Sequence, residues 1–333
     1  MRASEFLMNQ FDGPLFVVGM QRSGTKLLRD LLNQNKNIGI PKAETNFLPY
    51  ILGKYQNLPQ INDSLKLNSL YEAIINTTFY RWMNSDGFIL TKNEYEEFDF
   101  SSWLTFLKSL ISHFAPPNRN TGFIWGDKSP NYVNQILFLK NVFPSAKFIH
   151  IIRDPRDCCL SSKKVWGKNL YRTAEIWRKR VQEGMIQGKQ ISNSYSEILY
   201  EELLNNPEKE LKQLCNFIGV DFHNDMLTLK QPSENLGDTI GKSFIVKTNV
   251  KKFQTELSPQ EIKRIEEVVY PVMTQLSYEF IYDVKFKPLN PIEKKYYLIS
   301  DEIFILKHFV DELGYIKGVK MAINDIKEKN PVI

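Results

Sequence analysis

A short apolar run, a loop and a stretch of apolar residues at helical spacing follow one another three times in this sequence. The first apolar run covers residues 15–20 and leads through a glycine-containing loop into a helical pattern that includes Leu27 and Leu31. Residues 122–125 and residues 147–152 form two further apolar runs, and each leads into a helical pattern. Repeated units of strand and helix build a parallel sheet with helices on its faces. The sequence therefore predicts an α/β fold around a parallel sheet.

Helical patterns occupy most of the remaining chain. The segment 45–120 is mostly helical and rich in aromatic residues, which suits either a lid or acceptor groove or simply the core of a helical layer. A fourth strand is predicted at residues 196–199, and one or two amphipathic helices are predicted at residues 291–329. We therefore expect residues 1–290 to form an α/β domain with helical insertions. Residues 291–333 are expected to form a helical C-terminal extension packed on it.

Charge and cysteine content limit the partners and the compartment. The 333 residues include 43 Lys and Arg against 38 Asp and Glu, and these charges are scattered, which suits one small polyanion better than a nucleic acid. The three cysteines, with Cys158 and Cys159 adjacent, form no disulfide framework and no paired zinc spacing. No apolar stretch is long enough for a signal peptide or for a membrane span. We expect a cytoplasmic protein with no nucleic-acid partner.

The loop after the first predicted strand has the chemistry of an anion site. It reads Gly19-Met-Gln-Arg-Ser-Gly-Thr-Lys26, and the helix that follows presents unpaired backbone N–H groups and the positive end of its dipole. Arg22 and Lys26 add full positive charges. The segment nearly spells the Walker A motif, but Thr25 precedes Lys26 where that motif needs lysine first. A glycine turn with solvated basic residues is the alternative interpretation of this motif alone.

A second basic segment follows the strand predicted at residues 147–152. It reads Arg153-Asp-Pro-Arg-Asp-Cys-Cys-Leu-Ser161, in which Pro155 and Asp157 suit the start of a helix. Arg153 would leave the carboxyl end of the strand and Ser161 would lie about two helical turns further on, so both could reach one anion. A cluster of Arg/Asp salt bridges is the alternative interpretation.

Together and in this order, the two segments resemble those of sulfotransferases that use 3′-phosphoadenosine 5′-phosphosulfate (PAPS). In that family an R/K-S-G-T loop, matched here by Arg22-Ser23-Gly24-Thr25, holds the 5′-phosphosulfate. An R-D-P-R-D-x-x-x-S element holds the 3′-phosphate through its first Arg and its Ser, which are Arg153 and Ser161 here. Lys26 stands where the family usually has Thr or Ser, so the charge is kept and the hydroxyl is absent. The resemblance implies a P-loop-like sheet, PAPS as donor and adenosine 3′,5′-bisphosphate as product.

Two further segments extend the resemblance along the chain. Tyr200 begins a Y-E-x-L segment whose tyrosine lies near the adenine in the tyrosylprotein and carbohydrate branches of the family. Lys252 lies in a Lys-Lys-Phe segment that resembles a basic-aromatic segment closing over the cofactor phosphates. An ordinary aromatic residue at a strand end and a solvated lysine pair are the alternative interpretations of these two segments.

The reaction that the resemblance implies needs cations and a base. Charge builds up on the bridging oxygen of the leaving phosphate, and Arg22 and Lys26 are placed to neutralise it. Lys128 resembles the family lysine that contacts the transferred group, although pairing with Asp127 or exposure to solvent is the alternative. Glu44, in Lys42-Ala-Glu-Thr, resembles the glutamate base of the tyrosylprotein branch, and a structural role in the first turn of a helix is the alternative.

These observations predict a PAPS-dependent sulfotransferase that acts by in-line displacement on a hydroxyl of a saccharide, a glycolipid or a tyrosine-like acceptor. The catalysis implied by the resemblance requires no metal, because positive side chains replace it. Two other functions stay open at this point. A P-loop kinase or NTPase would use the first loop for Mg²⁺-ATP, and a non-catalytic nucleotide-binding module would keep both loops without the chemistry.

Overall fold

The computed structural model describes residues 11–55, 64–233, 236–315 and 317, which belong to two compact units. The first unit comprises the described residues up to 152 together with 183–235 and 240–247. The second unit comprises residues 153–182 and 236–239 and the described residues from 248 onward. A domain boundary after residue 290 stays a prediction.

A five-stranded parallel sheet forms the centre of the first unit, and it confirms the α/β class. The strand order is β2-β3-β1-β4-β5, and every neighbouring pair is parallel. Because neighbouring strands are parallel, their carboxyl ends lie on the same side of the sheet. The loops after the neighbouring strands β1 and β3 therefore lie close together. The strands are β1 Leu15–Gly19, β2 Ile38–Gly39, β3 Ile124–Lys128, β4 Lys147–Ile152 and β5 Tyr195–Leu199.

Helices precede and follow these strands in the first unit. Two helices of the predicted helical insertion start with capping boxes, whose N-cap residues are Thr91 and Ser102. The helices described in this unit are α1 Thr25–Leu32, α2 Leu48–Lys54, α3 Ser64–Ile75, α4 Thr78–Ser85, α5 Lys92–Glu96, α6 Trp103–His113, α7 Ile136–Val142, α10 Tyr200–Asn205 and α11 Pro207–Ile218. α9 (Leu170–Lys189) begins in the second unit and ends in the first.

Aromatic side chains fill the core on one face of the sheet. Phe16 of β1 stacks on Phe148 of β4 with ring centroids 5.2 Å apart, and Tyr132 meets Phe16 edge-on at 6.1 Å. Phe79 and Phe106 of the helical insertion are fully buried in the same core cluster. Each such ring contributes about 1.5–3 kcal/mol by burial. Most of these aromatic residues are therefore core.

The second unit is helical, and buried ion pairs hold it together. Arg156 donates to Glu266 and to Asp154, with both contacts at 2.6 Å. Paired in this way, the buried charges satisfy each other. The other helices described in this unit are α8 Pro155–Trp166, α12 Phe253–Glu256, α13 Pro259–Gln275 and α14 Pro291–Leu313.

Several element boundaries differ from the predicted ones. The second predicted strand, residues 122–125, is β3 and runs on to Lys128, because Asp127 and Lys128 are buried strand residues rather than loop residues. The predicted helix after it is split into a short 3₁₀ helix, Pro130–Asn134, and α7. The two-residue strand β2 carries too little pattern to be predicted. α14 ends at Leu313, and the predicted helix beyond residue 317 lies outside the described residues.

In the described part of the chain, every helix is either too short or too polar to traverse a bilayer.

His150 is a buried core histidine in β4. It is fully buried, and its Nδ1 lies 2.6 Å from the hydroxyl oxygen of Tyr195. Burial lowers the pKa of His150 from 6.5 to about 3, because the charged imidazolium loses its hydration. As the pH falls below 6.5, His150 becomes protonated in the unfolded chain but stays neutral in the folded chain. The free energy of unfolding therefore decreases.

We expect a His150→Gln substitution to remove this pH dependence. In the original chain the histidine should reduce the free energy of unfolding by about 2 kcal/mol between about pH 7 and about pH 5. Urea unfolding at both pH values measures the free energy of unfolding of each chain. The difference in this free energy between the original chain and the variant should change by about 2 kcal/mol between the two pH values. A difference that does not change with pH would contradict a neutral, buried His150.

Candidate active site

The loop after β1 turns tightly into the N-terminus of α1. The Ser23 N–H donates to the Met20 carbonyl at 3.2 Å, and Arg22 and Gly24 have left-handed backbone angles with φ of 70° and 91°. Gly24 is the residue before α1 and has no side chain with which to cap the helix. The first N–H groups of a helix have no carbonyl within it to bond. Loops that bind anions at a helix N-terminus have this geometry, and the anion site at residues 22–26 stays a prediction.

Tyr200 lies against this loop. A Cβ atom placed on Gly24 would clash with Cδ2 of the Tyr200 ring, so the ring rests directly on the glycine backbone. Tyr200 is buried and is the first residue of α10, immediately after β5. Glycine is needed at position 24 for two reasons, the positive φ and the approach of the ring. The structure therefore brings Tyr200 to the loop formed by residues 20–24.

Lys128 and Glu44 form an ion pair at the end of β3. The Lys128 Nζ lies 2.5 Å from Glu44 Oε1, and the lysine side chain is only 1% exposed. Neither of the alternative interpretations holds, because Lys128 is neither solvated nor paired with Asp127. Glu44 is likewise not in the first turn of a helix, since it lies in the loop before α2.

Burial lowers the pKa of Lys128, although the carboxylate of Glu44 opposes this effect. Arg29 and Lys26 lower it further by charge repulsion. Lys26 is therefore close enough to Lys128 for the two charges to interact. Positive charge thus converges on the end of β3 from two residues of α1.

Buried hydrogen bonds fix the loop that carries Glu44. The Thr45 N–H donates to Asp127 Oδ1 at 3.1 Å, and the hydroxyl groups of Thr45 and Tyr132 lie 3.1 Å apart. The Leu48 N–H donates to the same Tyr132 hydroxyl at 3.2 Å. Burial raises the pKa of Asp127 to about 6. The loop is thereby tied to β3 and to the 3₁₀ helix after it.

Three side-chain amides connect the loop after β1 to the second oxygen of Glu44. Gln21 donates to Asn131 at 3.2 Å, Asn131 donates to Asn46 at 3.3 Å, and Asn46 donates to Glu44 Oε2 at 3.1 Å. Sequence reasoning missed all three amides. Their positions in the loops after β1 and β3 and in the segment after Glu44 are the only signal that could have indicated them.

The remaining predicted residues belong to the second unit. Arg153 directly follows β4, is buried, and donates to the Asn249 carbonyl at 2.9 Å. Asp157 accepts the backbone N–H groups of Lys251 and Phe253 at 2.7 and 3.1 Å. These bonds bring the segment 249–253 to the start of α8, in which Ser161 is half-buried.

Ion pairs accompany these residues, as the alternative interpretation of the second segment expected. The Arg153 guanidinium lies 3.8 Å from the Asp157 carboxylate. Lys252 donates to Asp238 at 2.9 Å, so this lysine is paired with a carboxylate rather than solvated alone. The described residues contain no group of three or more acidic, histidine and cysteine side chains that could hold a metal ion.

Comparison with known proteins identifies a family for most of the chain. Residues 14–224 match the model of the sulfotransferase family. Protein-tyrosine sulfotransferase 1 of Danio rerio is 23% identical over 297 residues, which cover 83% of this chain and 75% of the relative. The omega-hydroxy-beta-dihydromenaquinone-9 sulfotransferase of Mycobacterium tuberculosis is 24% identical, with 66% of each chain covered.

A solved structure has the same fold. The sulfotransferase domain from the curacin biosynthetic pathway superimposes with a TM-score of 0.51 at 21% sequence identity. The match covers 82% of this chain and 100% of that domain.

We expect Gly24→Ala to destabilise the chain by about 1–2 kcal/mol, because the new Cβ meets the Tyr200 ring and the backbone keeps a positive φ. Gly53→Ala is the matched control, since Gly53 lies in α2 with nothing within 4 Å of its Cβ position. Urea unfolding of both variants measures the difference. Equal stability of the two variants would show that the ring does not rest on the glycine.

Proposed function

The chain belongs to the PAPS-dependent sulfotransferase family, and we propose that it transfers the sulfuryl group of PAPS to an acceptor hydroxyl with Glu44 as general base. The observation that carries this proposal is the Lys128–Glu44 ion pair. A cation and a carboxylate lie together at the end of β3, the strand next to β1. An in-line transfer needs both groups at one reaction centre.

Residues 22–26 would hold the 5′-phosphosulfate of the donor. The backbone N–H groups at the start of α1 and the side chains of Arg22 and Lys26 suit its negative charge. Tyr200, whose ring rests on Gly24, would lie near the adenine. Arg153 and Ser161 would bind the 3′-phosphate with help from Lys252, as the family resemblance implies.

The transfer would proceed in one displacement. The acceptor oxygen attacks sulfur while its proton moves to the carboxylate of Glu44. The bond between sulfur and the bridging oxygen breaks, and its electron pair stays on the phosphate of adenosine 3′,5′-bisphosphate. Arg22, Lys26 and Lys128 would stabilise the charge that collects there. We expect Lys128 to turn from Glu44 towards the bridging oxygen, which leaves the carboxylate to accept the proton.

The acceptor would be a hydroxyl of a saccharide, a glycolipid or a tyrosine-like group. The names of the two relatives point to a protein tyrosine in one case and to a hydroxylated menaquinone in the other. Both acceptors carry a hydroxyl group, so in both reactions a hydroxyl oxygen would attack the sulfur. The amides of Asn46 and Asn131 beside Glu44 suit the hydrogen bonds of a polar acceptor.

We expect the chain to bind adenosine 3′,5′-bisphosphate without a metal ion and more tightly than ATP with Mg²⁺. The physical reason is that the loop carries its cations in the wrong order for a Mg²⁺-nucleotide site. Isothermal titration calorimetry with both ligands measures the two affinities. Tighter binding of ATP with Mg²⁺ would support the kinase function instead.

A pair of adjacent serines refines this experiment. Ser161→Ala should weaken binding of the bisphosphate about tenfold through the loss of one hydrogen bond to a charged group. Ser162→Ala is the control, because Ser162 is buried and its hydroxyl has no hydrogen-bond partner among the described residues. Equal affinities of the two variants would show that Ser161 does not bind the nucleotide. The proposed sulfuryl transfer would not be contradicted by that result.

Glu44→Gln should lower the rate of sulfuryl transfer by about 10²–10⁴-fold, because the amide cannot accept the acceptor proton. Binding of adenosine 3′,5′-bisphosphate should stay within about twofold, which shows that the variant is folded. The rate is measured as release of the bisphosphate from PAPS with saccharide, glycolipid and tyrosine-peptide acceptors. Glu96→Gln, which neutralises an exposed carboxylate on α5, is the control. An undiminished rate in the Glu44 variant would exclude Glu44 as the base.

A further inference from the structure

Among its described side chains, helix α14 contacts the rest of the second unit through one side. Asp301 is buried and accepts the Asn169 N–H at 2.6 Å, and the Phe304 ring lies directly against Gly167, although 45% of Phe304 stays exposed. Tyr297 also belongs to this side. Residues 297, 301 and 304 are three and four positions apart, so they form one stripe along the helix.

The opposite side of α14 carries a second apolar stripe. Its residues are 37% to 82% exposed, and they follow one another at spacings of four, three, four and three residues. The next position in the repeat is Val310. The members are Ile292, Tyr296, Ile299, Ile303 and Leu306. Because helical residues advance by about 100° each, this stripe lies about 180° from Asp301.

The spacing of the exposed stripe points to a helical partner. An apolar repeat of 3.5 residues is the pattern of a left-handed coiled coil, in which alternate spacings of three and four keep one seam facing the other helix. A helix that only covers its own domain needs one apolar face, and α14 already has that face on the side of Asp301. Within the described residues, the second stripe is therefore not the face by which α14 packs on the rest of the second unit.

Charges beside the stripe indicate a second copy of the same helix. In heptad terms Glu302 occupies a g position and Lys307 the following e position. Two parallel copies bring Glu302 of each helix to Lys307 of the other, which gives two attractive pairs. An antiparallel pair would bring the two copies of Glu302 together. Within the described residues, neither side chain has an ion-pair partner of its own.

We propose that α14 is a dimerisation helix that pairs in parallel with α14 of a second copy of this chain. The seam consists of Ile292, Tyr296, Ile299, Ile303 and Leu306. This proposal does not depend on the sulfuryl chemistry, because the seam lies on the side of α14 away from its contacts with the second unit.

The oligomeric state of the full chain tests the proposal. Sedimentation velocity at about 50 µM should show a dimer, and Ile299→Glu with Ile303→Glu should weaken the association at least about 100-fold. Leu298→Glu, at an outer heptad position on the same helix, is the control and should stay dimeric. Far-ultraviolet circular dichroism establishes that each variant is folded. A monomer in the original chain, or a dimer that survives the double substitution, would overturn the proposal.

Charge exchange tests the parallel orientation. Glu302→Lys should weaken the dimer about tenfold by placing like charges together, and adding Lys307→Glu should restore the original affinity. In an antiparallel pair Glu302→Lys would replace one pair of like charges by another, so the affinity of the dimer would stay unchanged, and that result would contradict the parallel orientation.

Cysteine crosslinking separates a second copy from other occupants of the seam. Ile303→Cys should give a disulfide-linked dimer on mild oxidation, since equivalent core positions of a parallel pair lie within reach of a disulfide. Leu298→Cys should not, and the three native cysteines are buried, so the background is low. If residues after 317 of the same chain cover the seam, the chain stays monomeric and does not crosslink. Binding of the monomer to lipid vesicles through the seam would likewise overturn the proposal.

Discussion

The buried ammonium group of Lys128 imposes the constraint on which the site in the first unit depends. A charge removed from water needs a partner at close range, because leaving it unpaired in the interior costs several kcal/mol. Glu44 supplies that partner, and its loop is fixed by hydrogen bonds to Asp127 and Tyr132. The same contact that makes Lys128 tolerable inside the fold therefore places a carboxylate at the end of β3. The ion pair that compensates the buried charge is therefore also the one on which the proposed chemistry depends.

The parallel sheet makes this arrangement possible. β1 and β3 are neighbours, so the loop after β1 and the end of β3 meet at one edge. The amides of Gln21, Asn131 and Asn46 then form a hydrogen-bonded path from that loop to Glu44. Hydrogen bonds of 3.1–3.3 Å thus connect the loop after β1 to the carboxylate that we propose as the base.

Local chemistry made part of this structure predictable from the sequence. The loop between Gly19 and Lys26 could be predicted because glycine, basic residues and a following helix are adjacent in the chain. The pairing of Lys128 with Glu44 could not, since the two residues are 84 positions apart and only the sheet brings them together. The hydrogen-bonded path of side-chain amides could not be predicted for the same reason. The sequence showed that α14 is amphipathic. It did not show that the apolar stripe from Ile292 to Leu306 faces away from the rest of the second unit.

The claim that the loop after β1 and the end of β3 form one donor site is tested most directly by a crystal structure of the full chain with adenosine 3′,5′-bisphosphate. We expect backbone N–H groups of residues 23–26 to bind the 5′-phosphate, with the ammonium group of Lys128 turned towards it. A 5′-phosphate bound away from this loop, with Lys128 still paired to Glu44, would show that the loop and the end of β3 do not form one donor site.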